Sequence, residues 1–299
     1  MSTTPRSILT TSASTNRNIL ARHPLASYFG MAFAFAWIAV LPLLLSRAGI
    51  IAAELPVEPF QIAGALAGPT LAALIVTAAT SGKSGVRQLL RRYVQWRAGL
   101  QWYLIVFFGA LVVLTLGATV WFGTTMFQGF IQKLPQVLAL YFPFLVVGVL
   151  LGPLWEEPGW RGFALPMLQS VYGPFLGTLI LGLLWGVWHL PGFLGGWLPA
   201  LTLSSFLAML VTTISFSILM TWVYNNTRGS LLLMILLHSS SSAAVATGGI
   251  ILPTEMPETI HAIVYSGWIP ATTYAVCALI LLAITRGRLS YKEVNQAAK

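Results

Sequence analysis

Charged residues and cysteine are scarce in this sequence of 299 residues. Only 8% of its residues are Asp, Glu, Lys or Arg, whereas a soluble globular domain carries roughly 25%. A chain with so little charge cannot cover a surface that faces water. The single cysteine, Cys277, excludes an intrachain disulfide and a metal site built from cysteine pairs. Because 57% of the residues are hydrophobic, the composition indicates an integral membrane protein in contact with a lipid bilayer.

The net charge of +9 comes from basic residues in short segments between apolar runs. No basic domain stands apart from those runs, so nucleic-acid binding is not expected. Lysine and arginine in short connecting segments set the orientation of a membrane protein instead.

Eight continuous apolar runs reach the length of about 20 residues that a helix needs to cross a membrane. They do not alternate between apolar and polar residues, which favours helices over a β-barrel. The sequence therefore predicts an all-α polytopic membrane protein, with one domain over residues 25–285, a disordered tail over 1–24 and a C-terminal tail over 286–299. The predicted spans are 25–45, 60–80, 102–122, 136–155, 174–194, 203–224, 231–250 and 262–284.

An even number of spans places both tails on the same side of the membrane. Of the 16 lysine and arginine residues, all except Arg47 and Lys133 then fall on that side. Because basic residues concentrate in cytoplasmic segments, we expect both termini to be cytoplasmic. Residues 86–103 interleave leucine and aromatic residues with arginine, which predicts an amphipathic helix on the inner membrane surface.

Two glutamates and an arginine stand beside the fourth apolar run, in the segment WEEPGWRG. A charge at membrane depth costs ~2.5–3.5 kcal/mol and needs a reason. In a helix, Glu157 and Arg161 would lie four residues apart and pair, leaving Glu156 free. Pro158 disfavours the helical conformation at Glu157, so a capped turn at the membrane interface is the structural alternative.

Two histidines lie in other spans, His189 in the fifth and His238 in the seventh. Gly182 and Gly186 precede His189 and would allow a neighbouring helix to approach closely. Ser242 follows His238 by four residues, on the same helical face. Each histidine taken alone also fits a structural role, at the membrane interface or in a hydrogen bond between helices.

A glutamate and two histidines can share one task if the spans bring them together. Glu156 would act as a general base that takes a proton from water, with one histidine assisting. The other histidine and a hydroxyl group would donate hydrogen bonds to a developing oxyanion. This set suits hydrolysis of a peptide bond within the membrane. A zinc site on Glu156, His189 and His238 is the alternative, although the H-E-x-x-H helix of many zinc peptidases is absent.

Three segments, EEPGWR at 156–161, WGVWH at 185–189 and HSSSS at 238–242, resemble the motifs of a known family. Their order and spacing are similar to the E-E-x-x-x-R, F-x-x-x-H and H-x-x-x-N motifs of the CAAX-protease and bacteriocin-processing (CPBP) intramembrane proteases, called Abi proteins in bacteria. The resemblance implies a peptidase in a bacterial plasma membrane, with an eight-helix core. It also implies a water-accessible cavity that opens toward the inner side, and a glutamate mechanism without a metal or other cofactor.

The resemblance also assigns roles to residues. It implies that Glu156 activates water with His189, that Arg161 orients Glu157, and that His238 and Ser242 hold the oxyanion. The expected partner is a peptide or protein substrate, either a CAAX-like C-terminus or a leader or bacteriocin peptide.

Two residues depart from the family pattern, since Trp185 replaces phenylalanine and Ser242 replaces asparagine. A serine hydroxyl supplies a single donor where an amide supplies two. Ser242 therefore keeps open a second reading, a non-catalytic membrane immunity or scaffold protein of the same family.

Overall fold

A computed structural model describes residues 19–251 and 258–292. Within these residues, eight helices are long and apolar enough to cross a membrane, which confirms the predicted all-helical, eight-span fold. They are α1 Pro24–Arg47, α2 Val57–Val94, α3 Leu100–Phe122, α4 Leu134–Leu151, α5 Pro153–Gly195, α6 Leu203–Asn226, α7 Leu231–Ile251 and α8 Trp268–Thr285. Shorter helices cover Ile19–Arg22, Thr124–Gln132 and Glu258–Tyr265.

The two predicted tails lie partly outside the described residues, which leave out 1–18 and 293–299. The part of the N-terminal tail that is described is not disordered, because residues 19–22 form a helical turn and α1 already begins at Pro24. Proline suits the first turn of a helix, where its missing N–H has no partner to lose. In the C-terminal tail, Leu289 is fully buried and packs near Ile218 of α6.

The spans bury one side and expose the other to lipid. In α1 the buried residues are Tyr28, Ala32, Ala36, Val40 and Leu43, spaced by four or three, so they share one helical face. Ile38, on the opposite side of that helix, is 66% exposed. Small residues on the inner face let neighbouring helices come close, as is typical of packing within membranes.

Helix α7, which carries His238, is the central helix of the bundle. Of its most apolar 18-residue window, 61% is buried, the largest share among the eight spans. It packs against α3, α4, α5 and α6. Most side chains on α7 are therefore surrounded by other helices.

Two helices break at glycines with positive φ, a conformation that glycine adopts at little cost. Helix α2 bends at Gly82 (φ 61°) and α5 bends at Gly173 (φ 76°). After Gly173 the chain reverses, since a Cβ on Gly177 would lie 2.7 Å from the backbone carbon of Leu168. Helix α5 is thus a hairpin with a first arm, residues 153–172, and a second arm, residues 174–195. The apolar runs place the end of the fourth span at residue 155 and the start of the fifth at 174, so they assign most of the first arm to neither span.

The bundle has two ends. We call the end that holds the start of α1 and the end of α8 the tail face, and the other end the opposite face. Segments at the tail face contact one another, as when Gln95 donates to Arg228 O (2.9 Å) and Asn225 donates to Leu289 O (2.9 Å). At the opposite face lie the connecting segments 48–56, 123–133 and 196–202.

Residues 86–94 of the basic segment are helical, as the pattern predicts, but the helix does not continue through residue 103. Helical structure ends at Val94, and residues 95–99 form an irregular link to α3. Arg92 donates hydrogen bonds to Gly162 O (3.1 Å) and to the Tyr224 hydroxyl (2.8 Å), so this arginine holds the link against the protein. The pattern of the basic segment resembles that of a helix on a lipid surface, because a lipid surface and a contact with protein both favour arginine beside aromatic residues.

The close contact between the second arm of α5 and α6 provides a stability test. A Cβ on Gly182 would lie 2.6 Å from the Cα of Ile214, and backbone atoms cannot move aside cheaply. We expect Gly182→Ala to lower the free energy of unfolding by about 1–3 kcal/mol relative to Gly30→Ala. Gly30 is the matched control because nothing lies within 4 Å of its would-be Cβ. Equal thermal unfolding of the two variants in detergent would contradict this packing.

Candidate active site

The first arm of α5 crosses α2 where both helices contain a proline and widen into π-type turns. Pro158 has no N–H to bond the carbonyl of Leu154, and the Tyr93 hydroxyl donates to that carbonyl instead (3.0 Å). Such replacement partners are what allow proline inside a membrane helix. Glu157 therefore keeps helical dihedral angles (φ −63°, ψ −31°), and the expectation that Pro158 disrupts the helix there is wrong.

A second contact holds the same turn. Thr70 of α2 donates a hydrogen bond to the carbonyl of Trp155. Gly159 lies so close to α2 that a Cβ would come within 2.5 Å of the Pro69 carbonyl oxygen. The backbone on both sides of Glu156 and Glu157 is consequently fixed against α2.

Glu157 and Arg161 form the ion pair that their spacing predicts. Arg161 Nη1 lies 3.0 Å from Glu157 Oε1, and both side chains are fully buried. Arg161 Nη2 also donates to Ser217 Oγ on α6 (3.1 Å). The guanidinium group lies over the ring of Trp185, 4.3 Å from its centroid, in cation–π geometry. Ser217 could not be predicted as a partner of Arg161, because it lies 56 residues away on another span.

Glu156 points away from that ion pair, as expected, and toward Trp185 on the second arm. The indole Nε1–H of Trp185 donates to Glu156 Oε2 (3.0 Å). The motif comparison predicts for Trp185 only the role of an aromatic substitute for phenylalanine. The indole N–H, which phenylalanine lacks, is the signal that could have identified Trp185 as a partner of the carboxylate.

His189 follows Trp185 by one helical turn, and its Nδ1 lies 2.8 Å from the Trp185 carbonyl oxygen. A carbonyl only accepts hydrogen bonds, so Nδ1 carries a proton. In the neutral ring, Nε2 then has a free lone pair and can accept a hydrogen bond from water.

His238 binds Glu157, which the sequence did not predict. Its Nδ1 lies 2.8 Å from Glu157 Oε1. An ionised carboxylate also only accepts, so it places the proton on Nδ1 and leaves Nε2 available to the cavity. Ser242, the expected partner of His238, uses its hydroxyl to donate to the His238 carbonyl of its own helix (3.2 Å). Ser242 must therefore rotate before it can donate to any other group.

These side chains line one cavity of about 500 Å³, a volume within the usual range for ligand sites. Glu156, His189, His238 and Ser242 all contribute to its wall. The structure thus brings together residues from α5 and α7 that are separated by as many as 86 positions. Glu157 and Arg161 do not line the cavity but lie behind it, in contact with His238 and Trp185.

The cavity extends from Glu156 toward the opposite face. Its wall there consists of residues from the link between α5 and α6 and from the residues just before α8, namely Trp197, Leu198, Pro199, Ser266 and Gly267. The rings of Tyr28, Trp160 and Phe163, nearer the tail face, are buried against one another. The tails lie at the other end of the bundle, so the two expectations of cytoplasmic tails and of a cavity that opens toward the inner side do not hold together.

The zinc alternative requires three donors that meet around one ion. Among residues 19–251 and 258–292, no three His, Cys, Asp or Glu side chains come close enough to hold a metal ion. Glu156, His189 and His238 share the cavity wall without forming such a cluster. These donors do not fit a metal ion in this arrangement. The glutamate mechanism without a metal stays a prediction.

Residues 137–244 match the family model described as "Type II CAAX prenyl endopeptidase Rce1-like". This part of the chain is Rce1-like. The match contains all three motifs, at 156–161, 185–189 and 238–242, and confirms the resemblance read from them.

A short part of the chain is also similar to a curated protein. The chain is 44% identical over 43 residues to "CAAX prenyl protease 2" of Methanococcus maripaludis. That similarity covers 14% of this chain and 16% of the relative. The Rce1-like match and the eight spans fit an integral membrane protein.

Proposed function

We propose that this chain is an intramembrane endopeptidase that hydrolyses a peptide bond with a water molecule activated by Glu156. The observation that carries the proposal is the shared cavity, in which one carboxylate and two imidazoles from separate helices face the same space. The Rce1-like match over 137–244 supports the reaction class.

The first step is proton transfer from water to Glu156. His189 Nε2 accepts a hydrogen bond from the same water and orients it, while the Trp185 indole holds the carboxylate in place. The water oxygen attacks the carbonyl carbon of the substrate and forms a tetrahedral oxyanion. Glu156 then gives its proton to the amide nitrogen, the C–N bond breaks, and an acid and an amine leave.

His238 stabilises the oxyanion as an imidazolium. Its Nδ1–H stays on Glu157, and its Nε2–H donates into the cavity. Glu157 holds the imidazole ring through that hydrogen bond, and Arg161 fixes the position of Glu157. The buried pair thus acts through His238 and Trp185 and does not touch substrate.

The substrate class that we propose is a peptide with an apolar segment. A CAAX-like C-terminus and a leader or bacteriocin peptide are the two kinds suggested by the family. The cavity wall favours an apolar segment, because tryptophan and phenylalanine side chains such as Trp188 and Phe193 line it beside the polar groups.

A peptide library tests the proposal without a known substrate. Purified protein in detergent is incubated with peptides from a bacterial membrane proteome, and the products are read by mass spectrometry. We expect cleavage within apolar sequences. A folded wild-type protein that cuts no peptide, together with a Glu156→Gln variant that still confers a growth or immunity phenotype, would favour the non-catalytic alternative.

Ser242 allows a second test of the oxyanion role. Its hydroxyl donates a hydrogen bond to the His238 carbonyl. Ser242→Ala should therefore change the cleavage rate by less than the ~10²–10³-fold that is typical when an oxyanion donor is lost. Ser242→Asn introduces an amide N–H₂ at the cavity wall and should raise the rate above that of wild type. A Ser242→Ala variant as inactive as a His238→Ala variant would show that the serine already serves as the donor.

A further inference from the structure

Helix α2 is longer than one membrane crossing requires, and it bends at Gly82 (φ 61°). At 1.5 Å per residue, residues 57–81 alone rise roughly 37 Å, which exceeds the roughly 30 Å of a bilayer core. Residues 83–94, which we call the α2 arm, therefore lie beyond the crossing part of α2. The next span, α3, begins at Leu100. The α2 arm is thus held between the ends of two spans, at the surface of the bilayer.

The outward face of the α2 arm carries two parallel rows of side chains. Residues four apart lie on the same side of a helix, so three cations form one row and three apolar residues form the next. All six line one surface groove, and they are Lys83, Arg87, Arg91, Val86, Leu90 and Val94. The three cations are exposed, and Leu90 and Val94 are 48% and 72% exposed. A helical face of this kind matches the boundary between lipid headgroups and acyl chains.

The three cations of the groove have no anionic partner among the described residues. Both ion pairs in that part of the chain involve Glu157. The side chains of Lys83, Arg87 and Arg91 donate no hydrogen bond there either. Like charges four residues apart on a helix repel one another, so an external anion would stabilise this row.

We propose that the groove of the α2 arm binds an anionic phospholipid. The phosphate group accepts hydrogen bonds from Arg87 and Arg91 and lies near the ammonium group of Lys83. The acyl chains pass over Leu90 and Val94 into the bilayer. Anionic lipid is the occupant because it alone complements both rows, its headgroup the cations and its chains the apolar side chains.

The inward face of the α2 arm holds the turn of α5 that carries the acidic pair. A Cβ on Gly162 would lie 2.6 Å from Leu89 Cδ1, so Leu89 packs directly on that glycine. Arg92 donates to the carbonyl of Gly162, and the Tyr93 hydroxyl donates to the carbonyl of Leu154. A lipid that fixes the α2 arm therefore also stabilises its contact with α5, and binding should raise the unfolding temperature of the whole protein.

Thermal unfolding of the full chain in neutral detergent tests the site without any cleavage assay. Dioleoylphosphatidylglycerol is added in increasing amounts, and dioleoylphosphatidylcholine and sodium phosphate are added in parallel series. We expect the anionic lipid to raise the unfolding temperature, and the neutral lipid and the soluble anion to leave it unchanged. No response to the anionic lipid would overturn the proposal. An equal response to the neutral lipid, or to sodium phosphate, would overturn it as well.

Charge-removing variants locate the response. In Lys83→Gln/Arg87→Gln/Arg91→Gln, the amount of anionic lipid that gives half of the response should rise roughly 100-fold, since each basic residue near an anionic surface contributes about fivefold. Arg87→Gln alone is the milder variant, with an expected rise of about fivefold. The matched control removes three exposed cations at the same end of the bundle, with glutamine in place of Arg286, Arg288 and Lys292.

The control triple variant should respond to the anionic lipid much as wild type does. A groove variant with the wild-type response, or a control that loses the response as fully as the groove triple variant, would contradict the site. If the groove triple variant fails to fold, Arg87→Gln decides, and an unchanged response in that variant overturns the proposal. These outcomes leave the proposed peptidase untouched, because none of them depends on peptide cleavage.

Discussion

Replacement of Glu156 by glutamine is expected to lower the rate of peptide cleavage by about 10²–10⁴-fold, the contribution typical of a general base. Glutamine has the same size, and its amide oxygen can still accept the hydrogen bond from the Trp185 indole. The variant should therefore fold and unfold like wild type. The measurement is the initial cleavage rate of one peptide identified from the library, together with thermal unfolding in the same detergent.

Glu58→Gln is the matched control for that experiment. It removes the same charge from an exposed position in the first turn of α2 that does not line the cavity. We expect it to cleave at the wild-type rate. A Glu156→Gln variant that also retained the wild-type rate would remove Glu156 from the reaction.

Loss of the Arg161 side chain is expected to have the largest effect on stability. Arg161→Met leaves the Glu157 carboxylate buried without its cationic partner, and breaking a buried pair in this way costs about 3–5 kcal/mol. Thermal or denaturant unfolding in detergent measures the loss.

The double variant Glu157→Gln with Arg161→Met separates charge from packing. With no buried charge left, it should recover much of the stability that Arg161→Met loses. Arg87→Met serves as the control, because Arg87 is exposed at the tail face and its replacement should leave unfolding unchanged. An Arg161→Met protein that unfolds like wild type would contradict the described pair.

The span count and the Glu157–Arg161 pair were predictable because both depend on local spacing. An apolar run of helical length identifies a span wherever it occurs, and residues four apart in a helix are neighbours in any fold. The first arm of α5 was not predictable in this way. Gly173 permits continuation or reversal of the chain, and the packing of Gly177 on Leu168 decides between them.

Other features of the site depend on contacts between distant spans. His238 and Glu157 are 81 residues apart, and no periodicity relates them. The rings of Tyr28, Trp160 and Phe163 come from α1 and α5, and the sequence does not show that they pack together.

The most direct test of the central claim follows the oxygen atom of the attacking water. Wild-type protein is treated with a metal chelator and incubated with a cleavable peptide in water labelled with heavy oxygen, and the products are weighed by mass spectrometry. The account predicts one heavy oxygen atom in each new carboxyl group, at a rate that the chelator does not change. Cleavage that stops with the chelator and returns with added zinc, or that proceeds equally in the Glu156→Gln variant, would contradict it.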